Sequence, residues 1–464
     1  MTETAQYLII GGGLEGLSIA WNLTERGETD VLVVEKDTLC SGMTGKSSGI
    51  VRCHYGSPTM AALSWHSIPV FENAGELLGD DMGFRQCGYA VIVGDENVAP
   101  LRANVAMQQS LGIETELITP DRMAELWPGL NVEDVAAAAW EPRGGRGEAY
   151  MTGMAFAAAA RARGVRVRQS TRVVSLLRGC GDRVVGAEFA DGTEVYAEHV
   201  ILATGVWAPQ LGATVGIDIP VRAQRAQLVM VDQGEPLGQV PTLSDLVGLQ
   251  YLCREPNGEI LAGNSDHAAP QYIDPDAYAN RADSSTVEKV VERLMHRLPD
   301  MPDPSITGSY VGAYDTTPDY NPIIGPSPIE GLFLAVGFSG HGFKMAPAVG
   351  RLVAELLTEG TTTMSGVDPA DCRYARFAEG RPTTSLHPYA GAARCADAAG
   401  RARPRPRGWP SYPVARLGAS RHRTARYGTT RRRGAHGWSA SVELCPRPRR
   451  ARIRRGRAAG RSRW

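Results

Sequence analysis

The sequence predicts a mixed fold, α/β in its opening part and α+β overall, on three observations. A glycine-rich turn, Gly11-Gly12-Gly13-Leu14-Glu15-Gly16, stands between an apolar run and a helical pattern. A second apolar run, HVIL, ends far downstream in Ala203-Thr204-Gly205. Runs such as YAVIVG, AQLVMVD and EILAGN have strand character and are bounded by turn residues.

The first element is Tyr7 to Ile10, a short apolar run expected to be a buried parallel strand. The glycine turn follows, then an amphipathic helix to about Arg26, with Gly27 placed to end it. VLVVEK is the next strand and ends in Glu35. The pattern is GxGxxG at Gly11, Gly13 and Gly16, with an acid 19 residues after the last glycine. Gly11 permits the tight turn, Gly13 lets a pyrophosphate approach the backbone, and Gly16 lets the helix pack on the strand. The helix N-terminus offers N–H groups and a positive dipole end to phosphates, and Glu35 would accept from ribose hydroxyls. This is a Rossmann-like dinucleotide site.

FAD suits the order of elements better than NAD. Residues 41–56, SGMTGKSSGIVRCHYG, form a Gly/Ser/Thr-rich loop where a plain NAD domain would continue with a crossover helix. Four strand-like runs over 165–202 then lead to Ala203, Thr204 and Gly205, a second dinucleotide contact.

The remaining signals bound the chain. Its 464 residues suffice for two or more domains, and 43% hydrophobic with 21% charged residues is ordinary for a globular protein. The net charge of −1 averages two unlike regions. Residues 1–400 hold 29 basic and 49 acidic residues, and 401–464 hold 20 Arg with one acid, Glu443. Such asymmetry raises a nucleic-acid arm or a tail. There is no basic n-region at the start and no apolar run near the roughly 18 residues of a membrane span, so neither a secretory signal nor a membrane partner is expected. The eight cysteines include no CxxC pair, which argues against a disulfide framework or a metal site and points to a reducing, cytoplasmic setting. Only four lysines occur, Lys36, Lys46, Lys289 and Lys344, and one of them sits in the glycine-rich turn GFSGHGFK, with a helix expected from about Met345.

GGGLEG, SSGIVRCHYG, ILATGVWAP, GAYDTTPDYNPIIG (312–325) and GFSGHGFKMAPAVG together resemble the D-amino-acid-oxidase superfamily of FAD oxidoreductases. Glycine oxidase, sarcosine oxidase and dimethylglycine dehydrogenase are the most similar branches. The resemblance runs from about residue 5 to about 365. It implies an FAD-dependent oxidation of glycine or an N-substituted glycine to an imine, which hydrolyses, with O2 reduced to H2O2. A dehydrogenase, or an oxidase subunit passing electrons to another acceptor, is the alternative. In sarcosine oxidases an arginine and a lysine at the positions of Arg52 and Lys344 clamp the substrate carboxylate. Fixed cations beside the flavin would orient an amino acid's α-carbon. Tyr251, on a strand expected to cover the pocket, and Tyr314, in the flavin-facing stretch, complete the candidate catalytic set. The expected cofactor contacts are Gly11, Gly13, Gly16, Glu35, Lys36, Ser47, Ser48, Val173, Ala203, Thr204, Gly205, Gly312, Gly340, His341, Gly342, Phe343 and Lys344. His54 and His341 are more economically structural histidines than bases, and Asp319 a structural acid.

Departures from the family shape the expectation. Some sarcosine oxidases tether FAD through a cysteine near Gly312; here Gly312, Ala313 and Tyr314 offer no thiol, so the FAD is expected to be non-covalent. A second arginine of monomeric sarcosine oxidase is replaced by Gly49. The strand EILAGNSD lacks the lysine that promotes reaction with oxygen in that enzyme, and Lys289 lies on a solvated helix face.

The expected plan is a Rossmann-like FAD-binding domain over 1–85, 145–215 and 320–365. An antiparallel-sheet substrate domain over 86–144 and 216–319 would place the active site at their interface. Residues 391–464 lose all hydrophobic period and read as an Arg/Pro-rich tail, disordered or translated out of frame in a high-GC gene. A nucleic-acid partner through this tail is the reading disfavoured, since the family carries no such segment.

Overall fold

The computed structural model describes residues 3–390 except 180, 235–239 and 302–303, and the expectations for 391–464 lie outside the described residues. Its first sheet has a parallel centre. Strand Glu3–Ile10 pairs in parallel with Val31–Val34 on one side and Glu194–Leu202 on the other. Arg166–Arg168 and Leu332–Val336 extend it, and Ile323–Pro326 adds an antiparallel edge. A hairpin of Val173–Arg178 and Val184–Phe189 joins Glu194–Leu202. Val31–Val34 is buried at every residue, as a continuous apolar run covered on both faces must be. Helices Leu14–Glu25, Ala149–Ala162 and Gly342–Thr358 supply Leu17, Phe156 and Val349 to the core on one face. Leu211, Ile217 and Phe189 close the other.

The second sheet runs in the order Ser305–Thr316, Arg222–Asp232, Ile260–Asn264, Gln250–Arg254, Thr242–Asp245, Tyr89–Val93, Ala137–Glu141, Glu116–Ile118. Its pairs are antiparallel except one: Thr242–Asp245 lies parallel to Tyr89–Val93. These two strands are far apart in the chain, and only a hairpin connection forces neighbours to run antiparallel. Helix Ser284–Arg297 packs Val290 and Leu294 against one face, over Leu252 and Ile260, and leaves Lys289 exposed. The other face carries Leu228, Tyr251 and Tyr310.

Two local boundaries differ from the sequence expectation. The strand VLVVEK stops at Val34, so Glu35 stands free just beyond it. The helix after GFSGHG begins at Gly342 rather than about Met345, because Gly340 at φ +82 turns the chain and His341 caps the helix directly.

Candidate active site

One cavity runs from the glycine turn into the space faced by the second sheet. Its wall includes Gly11, Gly13, Glu35, Lys36, Ser47, Ser48, Val173, Ala203, Thr204 and Gly205. Further along, it includes Tyr251, Gly312, Tyr314, Gly340, Gly342 and Phe343. Gly16, Arg52, His341 and Lys344 are not on this wall.

The glycine turn is shaped by close backbone contact. A Cβ on Gly11, at φ +112, would stand 2.3 Å from the Ala203 carbonyl oxygen. One on Gly16 would stand 2.0 Å from the Gly11 carbonyl oxygen, which is why Gly16 faces protein and not the cavity. Glu35 is positioned by two backbone N–H groups: Gly12 donates to Oε2 at 2.8 Å and Asp37 to Oε1 at 3.0 Å. Lys36 lies 3.6 Å over the Trp207 ring, and its Nζ is 3.4 Å from Asp276, which also accepts from the Trp207 indole.

At the second sheet, the Tyr251 and Tyr314 hydroxyls are 3.3 Å apart. The Tyr314 ring fills space that a Cβ on Gly340 would occupy. Gly312 makes room for Lys46, whose Nζ donates to Asn280 at 2.9 Å. The Phe343 ring packs against Phe71 at a tilt, with centroids 5.4 Å apart.

Lys344 follows directly on the wall residues Gly342 and Phe343 in its helix. Lys344, in the first turn of its helix, is only 6% exposed and has no hydrogen-bond or ion-pair partner among the described residues. Burial and then Arg52 hold its pKa well below the usual lysine value, and Glu15 works the other way. Arg52 is half-buried, donates to the His54 carbonyl, and lies 4.2 Å over the Tyr55 ring. His341 packs its ring against Tyr55 at 5.2 Å, and burial, Lys344 and Arg52 keep it neutral. His54 bonds Tyr389 at 2.6 Å, and burial lowers its pKa to about 3. Asp319 is paired with the fully buried Arg376.

Sequence reasoning passed over two acids on the wall. Glu15 places Oε1 where a Cβ on Gly342 would come within 2.3 Å, and its Oε2 is buried without a partner among the described residues. Asp315 accepts from the Gly337 and Phe338 N–H groups at 2.7 and 3.0 Å, while burial lifts its pKa to about 6. Glu15 carried a signal: the helix N-terminus favours an acid, yet a carboxylate beside a phosphate site would repel the phosphates.

The residues fit a dinucleotide. The turn admits backbone approach, Glu35 keeps lone pairs for hydroxyls, and the wall holds a buried Thr204 hydroxyl without a partner among the described residues. No group of His, Cys, Asp and Glu among the described residues could hold a metal ion.

The family model described as DAO, FAD dependent oxidoreductase, matches residues 6–356. The chain is 31% identical over 389 residues to 4-methylaminobutanoate oxidase (formaldehyde-forming) of Paenarthrobacter nicotinovorans, covering 80% of this chain and 45% of that protein. It is 26% identical over 393 residues to mitochondrial dimethylglycine dehydrogenase of Rattus norvegicus, covering 81% and 45%. The chain thus spans about half the length of these relatives. It is 28% identical to sarcosine oxidase subunit beta of Arthrobacter sp, covering 76% of this chain and 87% of that one. Among solved structures, L-proline dehydrogenase from P. horikoshii superposes with a TM-score of 0.74 at 30% identity, covering 82% and 100%. Glycine oxidase from Geobacillus kaustophilus superposes with 0.68 at 26% identity, covering 78% and 97%.

Proposed function

The chain belongs to the DAO family of FAD-dependent oxidoreductases, and from that premise we propose that it oxidises glycine or an N-substituted glycine. The C–N single bond of a secondary or tertiary amino acid becomes an imine, which water hydrolyses to an amine plus an aldehyde or oxoacid. Bound FAD supplies the two-electron acceptor, and O2 takes the electrons and two protons to leave as H2O2.

The cofactor is held without a covalent link: Gly11, Gly13 and the N-terminus of helix Leu14–Glu25 serve the phosphates and Glu35 the ribose. Ala203, Thr204 and Gly205 line the middle of the cavity, and Gly312, Gly340, Gly342 and Phe343 line the ring's end. Arg52 and Lys344 hold the substrate carboxylate from behind, and the Tyr251 and Tyr314 hydroxyls complete its hydrogen bonds. Domain roles follow: the parallel sheet serves the cofactor and the second sheet covers the substrate.

The observation that carries this reading is Lys344: a buried lysine without a hydrogen-bond or ion-pair partner among the described residues, close enough to Arg52 for that charge to depress its pKa. A carboxylate supplies the missing partner. The activities for which the relatives are named support an amino-acid or methylamine substrate.

A second reading is a dehydrogenase or oxidase subunit that passes electrons elsewhere. It is favoured by strand Ile260–Asn264, which has no lysine. The test is anaerobic bleaching of the flavin absorbance of purified protein across glycine, sarcosine, proline and longer N-carboxymethyl amino acids. Bleaching followed by peroxide on admitting air is expected. No bleaching with any of them sinks the substrate class, while bleaching with turnover only through an artificial acceptor selects the second reading.

A further inference from the structure

Glu15 has no task in phosphate binding, where its charge would oppose the ligand. Its side chain instead leads away from Gly11 and Gly13 to Gly342, beside the part of the wall formed by Tyr314, Phe338 and Phe343. Its Oε2 is buried there with no partner among the described residues. The charged groups that act on it are Asp315 from strand Ser305–Thr316 and Lys344 from the first turn of helix Gly342–Thr358; Lys344 in turn acts on His341 and is acted on by Arg52. None of them hydrogen-bonds its Oε2.

If the phosphates lie at the glycine turn and the ribose at Glu35, the ring of the cofactor lies at the Gly342 end. We propose that Glu15 donates a hydrogen bond from its carboxylic acid to the isoalloxazine of bound FAD and so raises its reduction potential. This rests on FAD filling the cavity as read above. The physical reason is the charge that two electrons bring to the ring. A neutral donor beside it stabilises that charge, and a carboxylate in the same place opposes it. Burial, reinforced by Asp315 and countered by Lys344, holds the Glu15 carboxyl well above the usual range, which favours the acid form needed to donate.

The test is the reduction potential and visible spectrum of the purified holoprotein, Glu15→Gln and Glu15→Leu, all at one near-neutral pH. Glu15→Gln keeps the shape and a neutral donor and is expected to match the parent. Glu15→Leu removes the donor and is expected to lie below both, with a shifted spectrum. A Glu15→Leu potential equal to the parent's overturns the proposal, as does a Glu15→Gln potential well above the parent's, which would reveal a carboxylate in the parent. Should Glu15→Leu fail to fold, the parent against Glu15→Gln decides alone. A parent protein that neither carries nor takes up FAD overturns the underlying reading instead, so the two failures are distinct.

Discussion

The hydroxyls of Tyr251 and Tyr314 meet at 3.3 Å although two strands of the sheet separate their backbones. Strands lie about 4.8 Å apart, so the gap is roughly 14 Å, which only two long side chains leaning toward each other can close. Gly263, the cross-strand partner of Tyr251, makes this possible: a Cβ there would stand 2.2 Å from the tyrosine ring. Tyr251→Phe and Tyr314→Phe are each expected to lower kcat/KM by about tenfold, the effect of one lost hydrogen bond of about 1.4 kcal/mol. The double variant should lose less than the product of the two, since one pair is removed. Steady-state kinetics check this, and unchanged kcat/KM in both variants would take the pair out of the substrate site.

Lys344 should make substrate binding depend on pH. Burial and Arg52 depress its pKa, so it is more readily neutral than an ordinary lysine. An arriving carboxylate favours the charged form, so binding takes up a proton, and affinity falls as pH rises. Titration calorimetry with an unreactive carboxylate analogue, in two buffers of different ionisation enthalpy, reads the proton directly. Lys344→Met is expected to abolish the uptake and to weaken the analogue about 10- to 100-fold. Binding without any buffer dependence in the parent would contradict this.

Glu141 predicts a stability profile. Its carboxyl is buried, and its pKa rises to about 7 despite the 2.7 Å hydrogen bond from the Cys53 N–H and the nearby Arg52. The folded protein therefore binds this proton more tightly than the unfolded chain. That stabilisation is complete below the unfolded carboxyl pKa and is lost as pH rises through about 7. Glu141→Gln keeps an acceptor for Cys53 and cannot ionise. Denaturant midpoints should make it more stable than the parent above neutral pH, by up to about 3 kcal/mol. Equal pH slopes for the two proteins would count against the assignment.

Arg376 and Asp319 form a doubly bonded pair at 2.8 and 2.9 Å, with Arg376 fully buried. Asp319 also accepts from the Thr383 N–H, so the pair ties the closing segment to the loop before strand Ile323–Pro326. Asp319→Ala leaves a buried guanidinium unpaired and is expected to cost about 3 to 5 kcal/mol in urea unfolding, with flavin lost alongside. Asp319→Ala with Arg376→Met should recover much of that loss. A single variant as stable as the parent would show that water reaches the site.

The sequence made the nucleotide turn legible because its logic is local. Gly11, Gly16 and Glu35 are set by a strand, a turn and a helix in succession, and the close contacts at Gly11 and Gly16 are those such a turn requires. Arg52 and Lys344 could be named by resemblance, yet not their setting. The sequence held nothing to say that neither lines the cavity wall, or that Lys344 is buried and feels Glu15. Glu15 and Asp315 escaped notice although both lie in quoted motifs, because their importance comes from facing each other across chain segments 300 residues apart.

The sequence by itself determined the α/β class and the FAD-type order of elements. These follow from periodicity, turn chemistry and residue type, which neighbours in the chain decide. Only the tertiary structure decided that Tyr251 touches Tyr314, that Glu15 ends at Gly342, and that Asp319 belongs to Arg376. Each depends on the order of strands in a sheet, or on the space a glycine leaves beside a distant segment, and neither is written in local pattern.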